Sequence, residues 1–196
     1  MRYSFFALIS RMKYITRWTL MRNSAVENIQ EHSHMVAVIA HALAVIRRDV
    51  CGGDADPGFA ACAALFHDAP EIFTGDMPTP IKYFDADIMS AYKRVESLAA
   101  NKLLKSLPAE MRNAYKPLIS GTDESNTGDI LKAADRLSAY IKCLEEIKAG
   151  NTEFRAAAAQ SLNKLNELKM PEVDYFLKHF ICAFELSLDE LDFNFE

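Results

Sequence analysis

Leu65-Phe66-His67-Asp68-Ala69-Pro70-Glu71 is the stretch whose reading decides the fold of this chain. A histidine directly followed by an aspartate, with a glutamate three residues on, closes an alanine-rich apolar run that begins near Ala60. The pattern predicts a helix over 60–73. Residues three and four apart are neighbours on a helix, so His67, Asp68 and Glu71 are expected to converge on one side. Pro70 has no amide to offer the Phe66 carbonyl, and the helix should kink or loosen there, splaying the polar groups toward a cleft. His67 and Asp68 then read as two ligands of one divalent metal, with Glu71 as the acid–base group beside them. The plain alternative is the last turn of a helix.

Working outward, Thr74-Gly75-Asp76-Met77-Pro78-Thr79-Pro80 reads as a stiff connection. Gly75 permits a positive φ, and two prolines fix the backbone without helical hydrogen bonds. Upstream, Ile29, His32, Val36, Ile39 and Leu43 recur at steps of three and four, which predicts a helix from about Glu27 with His32 on its buried face. His34 and His41 fall on an adjacent stripe. A histidine on an apolar face is either a hydrogen-bonded core residue or a ligand, and Glu31-His32-Ser33 gains weight only in combination with 67–71. Between these two helices, Cys51 to Gly58 is a loop in which Asp56 can cap the helix that Pro57 opens.

Downstream, Ile88, Tyr92, Val95, Ala99 and Leu103 mark a long amphipathic helix, and Pro108 and Pro117 bracket a shorter one. Residues 126–149 carry Ile130, Ala134, Leu137, Ile141 and Leu144 on one stripe. Asp135 sits inside this helix among apolar neighbours. Burying it is costly unless it binds a metal or pairs with Arg136 or another base. Phe176, Phe180, Phe184, Leu188 and Leu191 form a last apolar stripe, suited to packing on the bundle or to a dimer interface.

The first segment holds Arg2, Arg11, Lys13, Arg17 and Arg22 with no acidic residue before Glu27. This excess either attracts an anion or forms a solvated basic face on a short first helix. Arg17-Trp18 includes the one tryptophan of the chain. A guanidinium can fork onto a phosphate, and an indole can make a flat wall for a base or sugar.

Over the whole chain, 196 residues with 50% hydrophobic content fit one globular domain spanning 1–196, and no strand-rich region or repeat is visible. The fold class that follows is all-α. A net charge of −5 argues against binding a nucleic acid polymer through its phosphates. The four cysteines form no C-x-x-C pair and fit reduced thiols. The run Phe5 to Ile9 is too short for a signal peptide, and no stretch reads as the ~18 apolar residues of a membrane helix. A cytoplasmic protein without a membrane partner is the expectation.

Glu31-His32, His67-Asp68 and Asp135, in that order on predicted helices, resemble the H…HD…D pattern of the HD-domain metal-dependent phosphohydrolases. Arg17-Trp18, His67-Asp68-Ala69-Pro70-Glu71, Asp76-Met77-Pro78-Thr79 and Lys132-Ala133-Ala134-Asp135 narrow the resemblance to the bacterial 5'-deoxynucleotidases, over nearly the whole chain. It implies a compact multi-helix HD-domain bundle, forming a homodimer. It also implies one divalent metal ion, cobalt, manganese or another first-row transition metal, held by His32, His67, Asp68 and Asp135. Mixed N/O ligation of this kind leaves positions open for water and substrate. Between Asp68 and Asp135 there is no histidine or cysteine to build a second metal site. His34 is not counted as a ligand.

The implied substrates are deoxyribonucleoside 5'-monophosphates, hydrolysed to deoxynucleosides and phosphate by attack of a metal-bound water on phosphorus. Catalysis is expected from Glu71, which protonates the leaving 5'-oxygen, and from Arg17, which neutralises the phosphate. Substrate contacts are expected from Arg17, Trp18, His32, Asp68, Asp76, Met77, Pro78, Thr79 and Asp135. Trp18 is expected to exclude a ribose 2'-hydroxyl and Asp76 to accept from the 3'-hydroxyl. The alternatives are an HD phosphohydrolase acting on nucleoside triphosphates or alarmones, and a non-catalytic nucleotide-binding module.

Overall fold

The structure is a computed structural model that describes residues 2–82, 84–120 and 126–191, with the backbone alone at positions 79, 80 and 126. It is all-α. Among the described residues the only extended pairing is an isolated antiparallel bridge between Thr16 and Asn28.

Helix α1 (Phe5–Ile9) is short, a 3₁₀ turn follows at Met12–Tyr14, and the chain then runs irregularly to α2 (Ile29–Val45). The basic residues of the first segment therefore do not share one helical face. Asn28 caps α2, its side chain accepting from the amides of Gln30 and Glu31, both at 3.0 Å. Glu31 reaches back to the Asn28 amide, so this acidic neighbour of His32 completes a capping box. The buried face of α2 carries Ile29, His32, Val36, Ile39 and Leu43, as the spacing predicts, whereas His34 and His41 are exposed. Beyond Val45 the helix widens into a π turn, Ile46–Val50. Ile29–Val50 is apolar and long enough to cross a membrane by length and composition, with mean hydropathy 1.2, but 56% of that window is buried inside the molecule.

Helix α3 (Pro57–Ala64) opens as expected, with Asp56 accepting from the Phe59 amide at 2.9 Å. Ala60 and Ala64 face Val36, Ala37, Ala40 and Ala44 of α2 in the main core, and these small side chains let the two backbones approach closely. The helix does not continue to Phe73. From Leu65 to Pro70 the chain turns on tighter bonds, Phe66 N–H to Ala63 O, His67 N–H to Ala64 O and Ala69 N–H to Phe66 O. Pro70 is the reason: the Phe66 carbonyl cannot bond four residues ahead and takes the Ala69 amide instead. Two short helices follow, α4 (Glu71–Thr74) and α5 (Thr79–Lys82). Gly75, at φ +72°, makes the reversal between them.

Helix α6 (Ala86–Lys105) matches the long amphipathic prediction, and α7 (Arg112–Ser120) passes through Pro117, which the sequence reading placed at its end. Helix α8 (Asn126–Lys148) packs on α2 and α3 and, with α9 (Arg155–Asn166) and α10 (Pro171–His179), closes the bundle. The final stripe is not one helix. Phe176 and Phe184 pack on the core, while Phe180 and Leu188 are exposed on the 3₁₀ turns and connections beyond α10.

Buried Glu146 on α8 ties the N-terminal segment down. Its carboxylate accepts from the amides of Ser24 at 2.8 Å and Ala25 at 3.2 Å, from Asn151 Nδ2 at 2.8 Å and from Lys142. Desolvation pushes this carboxyl up, but those donors outweigh it and hold it well below the usual carboxylate range. Folding thus lowers the pKa. The stabilisation is present above the ordinary glutamate value of 4.5 and is lost as pH falls below it. Replacing Glu146 with alanine leaves Lys142 buried without its carboxylate, so a loss of roughly 3 kcal/mol is expected at pH 7. Thermal melts should show a Tm lower by about 6–12 °C at neutral pH, with the gap closing toward acid pH.

Candidate active site

His32 comes from the second turn of α2, completely buried, and its Nε2 lies 3.0 Å from Asp135 Oδ1 on α8. Its Nδ1 faces Ser138 Oγ at 3.2 Å, one turn further along α8. With the proton on Nδ1 and donated to Ser138, the Nε2 lone pair points at the Asp135 side. Asp135 does not pair with Arg136. Nor is it buried: its side chain is 44% exposed, opening onto a cavity.

The turn at 65–70 sets the second imidazole. His67 Nδ1 is 2.7 Å from the Ala64 carbonyl, an acceptor, so the proton sits there and Nε2 carries the lone pair. That Nε2 is buried without a hydrogen-bond partner, only 3.2 Å from Asp68 Oδ2. A lone pair facing a carboxylate oxygen calls for a cation between them. Burial disfavours a charged His67, but Asp68 outweighs it and raises its pKa to about 9, so a proton fills that role when no metal does. Asp68 Oδ2 is also 3.6 Å from His32 Nε2.

One ligand atom each from His32, His67 and Asp135 lie within 4.8 Å of one another, close enough to share a metal ion. Two imidazoles and a carboxylate, with Asp68 alongside, suit a borderline divalent ion.

Arg17 lies beside this cluster on the segment before α2. Its Nη1 donates to Asp68 Oδ2 at 3.2 Å and its Nε stands 3.2 Å from Glu27 Oε2. Burial works against its charge, but Asp68, Asp135 and Glu27 more than compensate and raise its pKa. A cavity of about 680 Å³ is lined by Arg17, Trp18, Asp76, Met77, Pro78 and Asp135, together with Arg136, Gln160, Ser161 and Lys164. Arg17 and Asp135 in this lining contact Asp68 and His32 in turn. Glu71, at the start of α4, has one carboxylate oxygen buried with no partner. Desolvation, joined by the charges of Asp68 and Asp76, pushes its carboxyl up to about 9. Asp76 is raised as well, by burial first. The side chain of Thr79 lies outside the described part of the structure.

The family model for YfbR-like 5'-deoxynucleotidases matches residues 4–184. The chain belongs to this family. It is 48% identical over 188 residues to the 5'-deoxynucleotidase of Erwinia tasmaniensis, covering 95% of each chain. It is also 48% identical to the one from Vibrio cholerae, covering 95% of this chain and 97% of that one. Among solved structures, an HD-domain phosphohydrolase from Listeria innocua superposes with a TM-score of 0.80 at 27% identity, covering 92% of this chain and 88% of the other. An HD phosphohydrolase of cyanophage S-2L, bound to dA and one catalytic Zn2+ ion, shares the fold with a TM-score of 0.63 at 16% identity, covering 93% and 99%.

Of the residues singled out from sequence, the fold brings together His32, His67, Asp68, Asp135 and Arg17, and puts Trp18 and Asp76 to Pro78 on the adjoining cavity. Glu27, Ser138 and the α9 side of the cavity were not foreseen. Glu27 carried a weak signal as the acidic residue that ends the basic segment. Ser138, three residues after Asp135, reads in sequence as an ordinary helical serine. Removing its hydroxyl leaves His32 Nδ1 without its hydrogen-bond partner. Ser138→Ala is expected to weaken metal affinity by roughly tenfold or more in a chelator-competition titration on the folded variant, and to lower stability by about 1–3 kcal/mol because the buried Nδ1–H loses its acceptor.

Proposed function

We propose that this family member, a single HD domain over 1–196, is a metal-dependent 5'-deoxynucleotidase. It hydrolyses deoxyribonucleoside 5'-monophosphates to deoxynucleosides and phosphate. One observation carries the reading: Arg17, Trp18 and Asp76 to Pro78 line a single cavity whose wall continues through Asp135 to the His32–His67 cluster. The names and near-complete coverage of the curated relatives support the same activity.

His32, His67, Asp68 and Asp135 would hold one divalent metal ion, cobalt, manganese or another first-row metal. Such an ion supplies Lewis acidity, polarising a phosphoryl oxygen and making water nucleophilic at neutral pH. Arg17, bracketed by Asp68 and Glu27, keeps its guanidinium fixed beside the cluster and offers its charge to the phosphate. Glu71, protonated in its desolvated position, donates to the departing 5'-oxygen directly or through a water. Trp18 closes the sugar side against a 2'-hydroxyl, and Asp76 accepts from the 3'-hydroxyl beside Met77, Pro78 and Thr79. His32, Asp68 and Asp135 also border the substrate's phosphate. The molecule works as a homodimer in the cytoplasm. The exposed Phe180 and Leu188 support an association surface near the C-terminus.

A phosphate-release screen of dNMPs, NMPs and dNTPs with several divalent metals tests this reading. The expected result is metal-dependent release from dNMPs in preference to the other two classes. Preferential release from dNTPs points instead to a different HD phosphohydrolase, and no release under any metal points to a binding module. Glu71→Ala is expected to retain metal and substrate binding while kcat falls by roughly 100-fold or more. A variant turning over at the wild-type rate removes the proton-donor role.

A further inference from the structure

We infer that Glu27 is the positioning residue that sets sugar selectivity, because it holds Arg17 and Trp18 together. The inference rests on the functional reading above, in which those two residues meet the phosphate and the sugar.

Glu27 grips both neighbours at once. Its Oε2 accepts from the Trp18 indole Nε1–H at 3.0 Å, and the same oxygen stands 3.2 Å from Arg17 Nε. Its own carbonyl accepts the Arg17 amide at 2.9 Å, flanked by the Thr16–Asn28 bridge and the bond from the Ile29 amide to Ile15 O. The Glu27 side chain is only 16% exposed, so this bond network is shielded from water. Backbone and side chain of one residue thus fix the entrance to α2 against the loop that lines the cavity.

The Trp18 backbone is tied by its carbonyl, which accepts from Asn23 Nδ2 at 3.2 Å and from the Met21 amide at 3.0 Å, and the Glu27 carboxylate holds the ring that this backbone presents. The Trp18 φ of +58° is the left-handed conformation, disfavoured for any bulky side chain unless the surroundings hold it. The indole packs against the buried cluster of Cys143, Phe154 and Ala158, with the Phe154 ring 5.3 Å away at a 56° tilt, and its one described side-chain hydrogen bond runs from Nε1 to the Glu27 carboxylate. Phe154 supplies a surface without direction, whereas the Nε1–H bond sets the rotation of the ring. Without an acceptor there, the indole is free to turn on Phe154 and withdraw from the space that a 2'-hydroxyl would fill. Glu27 is not itself a metal contact. Its Oε1 is 3.8 Å from His32 Nδ1, beyond hydrogen-bond distance, and Ser138 sits closer to that nitrogen.

The test compares kcat/KM for deoxyadenosine and adenosine 5'-monophosphates at saturating metal in wild type, Glu27→Ala, Glu27→Gln, Trp18→Ala and the Glu27→Ala/Trp18→Ala double variant. Trp18 is the sole tryptophan, so its emission reports the same contact without any turnover. Glu27→Ala is expected to lower the deoxy-to-ribo ratio by about tenfold or more and to shift the emission to the red. Glu27→Gln, whose amide oxygen still accepts from the indole, should hold the ratio within about threefold of wild type. In the Trp18→Ala background, Glu27→Ala should leave the ratio unchanged, because the two residues act through one contact. A ratio and emission unaltered by Glu27→Ala overturn the inference, as does an equal fall in the Trp18→Ala background. If the alanine variant does not fold, Glu27→Met, which keeps length without an acceptor, takes its place. A wild-type ratio near one overturns the functional reading and this inference with it. A wild-type preference that survives loss of Glu27 overturns the inference alone.

Discussion

The 3.0 Å approach of His32 Nε2 to Asp135 Oδ1 is where the core and the site become one structure. His32 stands on the buried face of α2 and Asp135 on α8, and the helices meet through Val36, Ile39, Ala133, Ala134 and Leu137. The alanines preceding Asp135 let α8 come close enough for its carboxylate to reach the imidazole. A polar pair at this depth is tolerable only because it is not sealed in. The Asp135 side chain opens to the cavity, and Ser138 takes the other nitrogen of the ring. Close helix packing thus delivers two candidate ligand atoms at a fixed separation.

The second half of the site comes from a failure of helix geometry. Had α3 continued as an α-helix, the Ala64 carbonyl would have bonded the amide of residue 68. The tight turn imposed ahead of Pro70 instead leaves that carbonyl bonded to both His67 N–H and His67 Nδ1. This fixes the tautomer and leaves Nε2 facing Asp68 across a gap that demands a cation. The same turn starts α4 at Glu71, whose carboxyl is left desolvated beside Asp68 and Asp76. Local strain in hydrogen bonding is here converted into convergent side chains.

The N-terminal segment brings Arg17 and Trp18 to the cavity without helix or strand of its own across 15–28. It is held instead by side chains of α8, of the turn that follows α8 and of the segment itself. Glu146 and Asn151 receive or clasp residues 22–25, and Glu27 clasps Arg17 and Trp18. Carboxylates that accept several donors are well suited to this task, because each missing donor leaves a charged group unsatisfied. Rigidity in a loop then follows from polar satisfaction, and a residue such as Trp18 can be kept at a positive φ.

Periodicity in the sequence was enough to assign an all-α fold, the buried face of α2, the cap at Asp56 and the long helices α6 and α8. Those features depend on local spacing and on single-residue chemistry. The resemblance of spaced pairs such as Arg17-Trp18 and His67-Asp68 also pointed to the family that the chain proved to join. What local pattern could not decide were the outcomes that depend on partners distant in the chain. The first segment leaves α-helix after Ile9, α7 runs through Pro117, and the last apolar stripe splits after His179, whereas the break ahead of Pro70 was legible as a loosening and only its start at Leu65 was not. Asp135 fitted an ion pair with Arg136 or another base as well as a metal site until α2 packed His32 against it. Glu27 and Ser138 became visible only there. Their roles lie in distances across the fold, and hydrogen-bond geometry between residues many positions apart leaves no trace in the spacing of a single sequence.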